Sequence, residues 1–366
     1  MRALPLAVSD DDWRAQVRHA VTDLAGLERH LSLTDDEREG ARAALAGGFP
    51  ISITPYYLSL ADADDPSCPV RRQCVPSQRE TLRVPGDLRD PLGEEDHEVA
   101  PHLVQRYPDR ALLLVSDRCS VYCRFCTRSR MVGQGGGARS AERLAPAFDY
   151  LARHPEIREV IVSGGDPLVA STSRVEAVLK RLAALGTLDT VRVASRVPVT
   201  LPMRIDDALC RALRAFPATW VMTHFNHPKE LTAASCGALA RLVDHGLPVM
   251  NQTVLLRGIN DDADTLEALF RGLVRARTRP YYLLQADPVG GTGHLRTPLQ
   301  VGERIMERLQ GRLSGIALPK FIVDTPGGLG KVPHGPTWVA KRGPGITTFR
   351  TFRGEHVDYV APPDHV

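Results

Sequence analysis

The sequence predicts an α/β fold: strand–helix units in series whose parallel sheet closes toward a barrel, with a helical N-terminal region and a short C-terminal extension. Two observations predict it. From about residue 99, short strand-like runs alternate with helix-length amphipathic segments. Each unusual polar motif then falls directly after a strand-like run. An open doubly wound sheet gathers its site at one switch point, whereas a barrel uses the carboxyl ends of all its strands. Polar motifs after so many strands favour the barrel.

In chain order, residues 1–98 read as helical and then irregular. Ser32-Leu33-Thr34 before Asp35-Asp36-Glu37 reads as a helix start with acids in the first turn. From Asp62 to Glu95, Pro, Asp and Arg crowd the chain, which predicts extended surface chain. Cys68 and Cys74 lie there without a ligand pair of zinc-site type. Residues 99–320 carry the strand-like runs Ala111–Val115, Val160–Ser163, Val191–Ser195, Trp220–His224, Val249–Leu255 and Tyr281–Gln285. Arg174–Leu185, Cys236–His245 and Asp264–Arg275 are among the helical segments between them. Six such units call for right-handed crossovers. Residues 321–366 begin with the apolar run Phe321–Asp324 and a glycine-rich stretch, 325–333. Weak alternation over 346–360 predicts a hairpin.

Composition narrows the class. With 43% hydrophobic and 24% charged residues, the 366-residue chain reads as an ordinary soluble globular protein. Its net charge of +3 comes from scattered basic residues, which argues against a nucleic-acid partner. No apolar run approaches a membrane span. The first residues meet three aspartates too soon for a signal peptide. Seven cysteines, an odd number, fit metal-binding thiols in a reducing cytoplasm better than a disulfide framework.

Three of those thiols carry the strongest signal. Cys119, Cys123 and Cys126 are spaced C-x3-C-x2-C, with Phe125 before the last. Cysteine thiolates hold iron–sulfur clusters. Three of them on a four-iron cluster leave one iron open to bind a small molecule and pass it an electron. Structural zinc or three buried thiols are the alternatives. Zinc sites usually show four ligands in paired spacings, and no second pair lies nearby. The run resembles that of radical S-adenosylmethionine (SAM) enzymes, which implies a [4Fe-4S] cluster, SAM, and a partial (β/α)6 TIM-like barrel.

Two further motifs add to this. Ser163-Gly164-Gly165-Asp166 follows the second strand-like run. Gly-Gly-Asp is also an ordinary turn, but small residues let a ligand approach the backbone. The motif resembles the one that holds the methionyl amino group of SAM. Lys331 lies in the glycine-rich stretch. A phosphate loop fails there, because Thr325 and Val332 stand where Gly and Ser or Thr are required. A surface lysine and a Schiff-base lysine for pyridoxal phosphate (PLP) remain.

Along nearly its whole length the chain resembles the lysine 2,3-aminomutase family of PLP-dependent radical SAM enzymes. The matching stretches are Ile53–Leu60, Arg106–Arg110, the cysteine run, Ser163–Asp166, Thr223–Pro228, Asn251-Gln252, Leu255–Gly258, Arg279–Tyr282, His294 with Arg296–Pro298, and Asp324–Lys331. The resemblance implies that Lys331 carries PLP, and that Arg106, Tyr107 and Arg110 surround it. It implies that Ser195, His224 and Gln252 line the SAM pocket with Ser163–Asp166. It gives Arg128 the substrate carboxylate, a task that suits arginine's bidentate fork. It gives Asp287 and Asp324 the side-chain ammonium of lysine. A buried cation needs such opposite charge, and two unpartnered acids would force one to protonate.

The implied activity is an isomerase that moves the α-amino group of L-lysine to the β-carbon. Arginine or another cationic amino acid also fits two acids, and a PLP-free radical SAM enzyme and a non-enzymatic cluster protein are rival readings. The implied partners are an amino acid and an electron donor such as flavodoxin or ferredoxin; a homo-oligomer is left open. Three departures stand out. Phe125 replaces a frequent histidine. The loop after Asp287 reads Pro-Val-Gly-Gly-Thr-Gly, not a close match. No cysteine follows Cys236, which argues against the C-terminal zinc that some members bind.

Overall fold

The computed structural model describes residues 12–134 and 136–362. One ten-stranded sheet runs in chain order: β1 (Glu98–Ala100), β2 (Leu103–Tyr107), β3 (Arg110–Ser116), β4 (Glu159–Gly164), β5 (Thr190–Ala194), β6 (Thr219–Thr223), β7 (Val249–Leu255), β8 (Arg279–Gln285), β9 (Lys320–Thr325) and β10 (Gly330–Pro333). From β3 to β9 every neighbouring pair is parallel. The antiparallel pairs β1–β2, β2–β3 and β9–β10 frame this parallel centre.

Alternation along the strands separates core from site. Successive side chains point to opposite faces of a sheet. On β4, Val160 and Val162 join the hydrophobic core, while Ile161 and Ser163 line a cavity. On β5, Val191 and Val193 are core and Arg192 and Ala194 face the cavity. The helices at 141–153, 172–184, 233–244, 263–275 and 299–309 supply the other side of that core. Four of them start at a capping side chain, Ser140, Ser171, Thr232 or Asp262, that accepts from a first-turn N–H.

The six strand-like runs are all strands. The apolar run at Phe321 adds a seventh parallel strand, β9, paired with β8. Its Phe321 and Ile322 are each 2% exposed, so packing draws this start of the C-terminal region into the barrel sheet. Thr34 caps the helix Asp35–Leu45 in a full capping box with Glu37.

The stretch from Asp62 to Glu95 departs from extended surface chain. Cys68, Arg71, Cys74 and Glu94 are buried within it. Arg71 can be buried because its guanidinium donates to the Glu37 carboxylate and to the carbonyls of Ser32, Asp62 and Ala63. Composition alone does not reveal such compensation. The expected tail hairpin is β12 (Ile346–Arg350) with β13 (His356–Val360). β11 (Val339–Gly343) joins it to make a separate antiparallel sheet. Among the described residues, no helix is long and apolar enough to cross a membrane.

Candidate active site

A cavity of about 370 Å³ opens at the carboxyl ends of the parallel strands. The three cysteines, Ser163–Asp166, Ser195, His224 and Gln252 line it, as do Arg106, Tyr107, Arg110, Arg128, Asp287, Asp324 and Lys331. The fold thus brings these candidate cluster, cofactor and substrate residues to one cavity.

The cysteine loop follows β3 and is held by the glycines after β4. Gly165 N–H donates to the Ser116 carbonyl at 2.6 Å and Asp166 N–H to the Arg118 carbonyl at 2.8 Å. A Cβ on Gly164 would stand 2.2 Å from the Ser116 oxygen, and one on Gly165 2.6 Å from the Arg118 oxygen. The close approach that these glycines allow is therefore first to the cysteine loop. Burial pushes the Cys119 thiol far up and the Cys126 thiol up to about 11. Ionised thiolates at this site therefore need a bound cation. Among the described residues, no three His, Cys, Asp or Glu are placed to hold a single metal ion. A four-iron cluster takes each thiolate at a separate iron, and the three cysteines lining one cavity suit that larger group.

Asp166 is more engaged than its motif suggests. Its carboxylate accepts from Ser195 Oγ at 2.7 Å, Arg196 N–H at 2.7 Å and Leu168 N–H at 3.0 Å. Burial still raises its pKa against those donors. A carboxylate has room for one further donor. Ser195 is committed to Asp166 in this arrangement. His224 is free by contrast: its buried Nε2 has no partner, and burial lowers its pKa to about 3, so a neutral imidazole faces the cavity. The Phe125 ring packs edge-on against it at 5.6 Å. An orphaned ring nitrogen and a carboxylate with spare capacity fit a polar ligand such as SAM.

The β9–β10 hairpin sets Lys331 across from Asp324. Gly327, Gly328 and Gly330 take φ of +77°, +77° and +108° to make that turn. The Lys331 ammonium pairs with Asp324, whose other oxygen accepts from Arg106 Nη2 at 2.7 Å. Lys331 N–H donates to Tyr107 Oη at 2.9 Å, and the Arg110 guanidinium lies 4.6 Å from the Tyr107 ring. A lysine amine, an aromatic ring and two guanidiniums fit an aldehyde cofactor that carries a phosphate.

The two acids are not equivalent. Asp324 is matched by two cations, whereas Asp287 makes none of the ion pairs found among the described residues. Burial, and then the nearby charge of Asp324, raises the Asp287 pKa to about 7. Arg128 is also engaged: Nε and Nη2 pair with the buried Glu94, leaving Nη1 with longer contacts to Ser163 Oγ and the Gly164 carbonyl. Burial pushes Glu94 up, but Arg128 and Arg130 more than offset it and hold Glu94 below the usual carboxylate range.

Sequence reasoning missed Glu94 and Arg192, and noted Arg196 only as part of the polar pair Ser195-Arg196 after a strand-like run, without a role. Glu94 sits in a stretch read as surface, with no motif around it. Arg192 faces the cavity from mid-strand and pairs with Glu159, a role visible only once the strand faces are known. Arg196 directly follows Ser195 at a strand end. That position was its only signal.

Comparison with known proteins agrees with this geometry. Residues 113–269 match the Radical SAM superfamily, and residues 306–366 match the family model described as Lysine-2,3-aminomutase. The chain is 41% identical to the L-lysine 2,3-aminomutase of Fusobacterium nucleatum, over 97% of this chain and 83% of that one. It is 42% identical to the L-lysine 2,3-aminomutase of Clostridium subterminale, over 96% and 84%. It is 37% identical to the glutamate 2,3-aminomutase of Clostridioides difficile, over 95% and 82%. With three thiols, a cavity-facing lysine and this level of identity over nearly its full length, the chain belongs to the lysine 2,3-aminomutase family of radical SAM enzymes.

Proposed function

We propose that the chain is an L-lysine 2,3-aminomutase: the α-amino group of lysine moves to the β-carbon and a hydrogen moves the other way. The observation that carries the choice of lysine is Asp287, a cavity-facing carboxyl without a cation of its own. A glutamate side chain would add a third carboxylate beside Asp287 and Asp324, and like charges at such range repel. The Lys331–Asp324 pair supports the same reading, since Lys331 is itself a primary alkylammonium seated on one of the two acids.

The family's cofactors are a [4Fe-4S] cluster, SAM and PLP. When bound, they supply the hydrogen-abstracting radical and a carrier for the migrating amino group. In this reading Cys119, Cys123 and Cys126 hold the cluster. Ser163–Asp166, Ser195, His224 and Gln252 bound the SAM side. Lys331 carries PLP, with Arg106, Tyr107 and Arg110 around its ring and phosphate. Arg128, held by Glu94, offers Nη1 to the substrate carboxylate, and Asp287 with Asp324 takes the far ammonium. Two charged anchors at opposite ends of one substrate fix its carbon chain between them, so that the α- and β-carbons are held in place. The reading includes an external one-electron donor of flavodoxin or ferredoxin type and a cytoplasmic setting for its free thiols.

Anaerobic turnover of the reconstituted protein with SAM, PLP and a reductant tests this, with lysine, arginine, glutamate and alanine offered separately. β-Lysine from lysine alone is the expected product. Deoxyadenosine release without a β-amino acid from lysine would refute the substrate assignment.

A further inference from the structure

We propose that Arg196 is a positioning residue that sets the reduction potential of the cluster and ties the Cys123 thiolate to the SAM side of the cavity. The proposal rests on the cluster assignment above and adds to it a residue without a role in that reading.

Arg196 is 8% exposed, and its donors reach four parts of the site. Nη1 donates to Cys123 Sγ at 2.8 Å. Nε donates to the His224 carbonyl at 3.1 Å, and the backbone N–H to Asp166 at 2.7 Å. Nη2 is directed at Glu230 at 2.6 Å, Gln73 at 2.5 Å and Tyr57 Oη at 3.0 Å. A buried guanidinium needs this compensation, and Glu230, itself fully buried, supplies the opposite charge. An arginine with only a packing role would spend its donors on oxygen. A neutral thiol is a weak acceptor, so a donor aimed at Sγ is effective once the sulfur is an ionised cluster ligand.

The physical consequence is directional. Reduction adds negative charge to the cluster. A hydrogen bond and a fixed positive charge at one ligand sulfur stabilise the reduced form and raise the potential. Glu230 tempers that effect, because its charge opposes that of Arg196 from the far side of the guanidinium.

The test uses the full chain reconstituted anaerobically, with potentiometric titration followed by electron paramagnetic resonance with and without SAM. Arg196→Gln is expected to move the potential negative. The ratio of reduced to oxidised cluster at a fixed poise then falls about tenfold, equal to about 59 mV for a one-electron couple. Arg196→Lys, which keeps the charge and one donor, recovers part of that loss. Glu230→Gln moves the potential positive. Wild-type potentials in all three variants with full iron content would overturn the proposal, as would shifts of one sign for Arg196→Gln and Glu230→Gln. If Arg196→Gln takes up no iron, Glu230→Gln decides: a positive shift supports the proposal, and none or a negative one overturns it. A wild-type protein that binds no SAM-responsive cluster would instead refute the cluster assignment itself.

Discussion

Replacing Asp287 with asparagine tests the proposed substrate pocket at a carboxyl that makes no ion pair among the described residues. The wild-type carboxyl titrates near 7, raised by burial and then by Asp324. Lysine's side-chain ammonium stays protonated far above that pH and prefers the ionised carboxylate. From pH 8 to pH 6 the ionised fraction of a group with pKa 7 falls about tenfold, so the affinity for lysine falls about tenfold with it. Removing one partner of a buried charge pair costs about 2–5 kcal/mol. Asp287→Asn therefore raises the dissociation constant for lysine by about 30-fold or more and flattens its pH dependence. The sign for stability is opposite. A folded-state pKa above the unfolded value of 3.8 means that the protonated form favours folding at low pH, and that this advantage is lost as pH rises through 7. The rise corresponds to about 4 kcal/mol. Asp287→Asn thus unfolds at a higher temperature than wild type at pH 8 and at a similar temperature at pH 4. Equilibrium binding of lysine to the PLP-loaded protein across pH 6–8, with thermal unfolding of the same samples, reads both effects. Wild-type affinity in the variant, or an unchanged pH slope, would refute the reasoning.

Other positions give separate tests. Lys331→Ala should abolish mutase turnover and the absorbance of lysine-bound PLP while leaving cluster iron content unchanged, as read by optical spectra and iron analysis. Gly330→Ala puts a side chain at φ +108° and 3.3 Å from Tyr107 Oη; it should displace the neighbouring Lys331 and cut PLP retention at least tenfold, measured by cofactor content after dialysis. Glu94→Gln removes the carboxylate that holds Arg128 on its Nε edge. It should raise the KM for lysine by about tenfold, in keeping with the 1.5–3 kcal/mol of a charged hydrogen bond, with a smaller change in kcat.

How much was legible in the sequence depended on the kind of signal. Cys119–Cys126 and Ser163–Asp166 are contiguous, so chain order alone displays their chemistry. The six strands of the central barrel show as strand-like runs because alternate side chains, such as Val160 and Val162 or Val191 and Val193, must be apolar to enter the core. β9 was harder, because it follows a long connection from β8. The Glu94–Arg128 pair spans 34 residues and the Arg196–Cys123 contact 73, so only the fold brings each together. Asp166 shows the limit of a motif. Its presence was visible, but its commitment to Ser195 and Arg196 was not, because hydrogen-bond partners come from neighbouring strands.

The charges in the cavity also imply an order of events. Arg128 is matched by Glu94, and Asp324 is matched by Arg106 and Lys331, so the protein without cofactor is largely self-neutralised. Of Asp287 and Asp324, only Asp287 has no ion pair among the described residues, and a pKa near 7 lets a proton cover much of its charge. If Lys331 carries PLP, as proposed, its ammonium would be withdrawn from Asp324, and the demand of the two acids for a cation would rise. A substrate with a distant ammonium answers that demand, and one with a distant carboxylate worsens it. In the proposed reading, selectivity for a cationic amino acid is therefore greatest when PLP is bound. In the proposed reading Asp324 neutralises Lys331 in the empty site, and Asp324 with Asp287 meets the substrate ammonium in the occupied one.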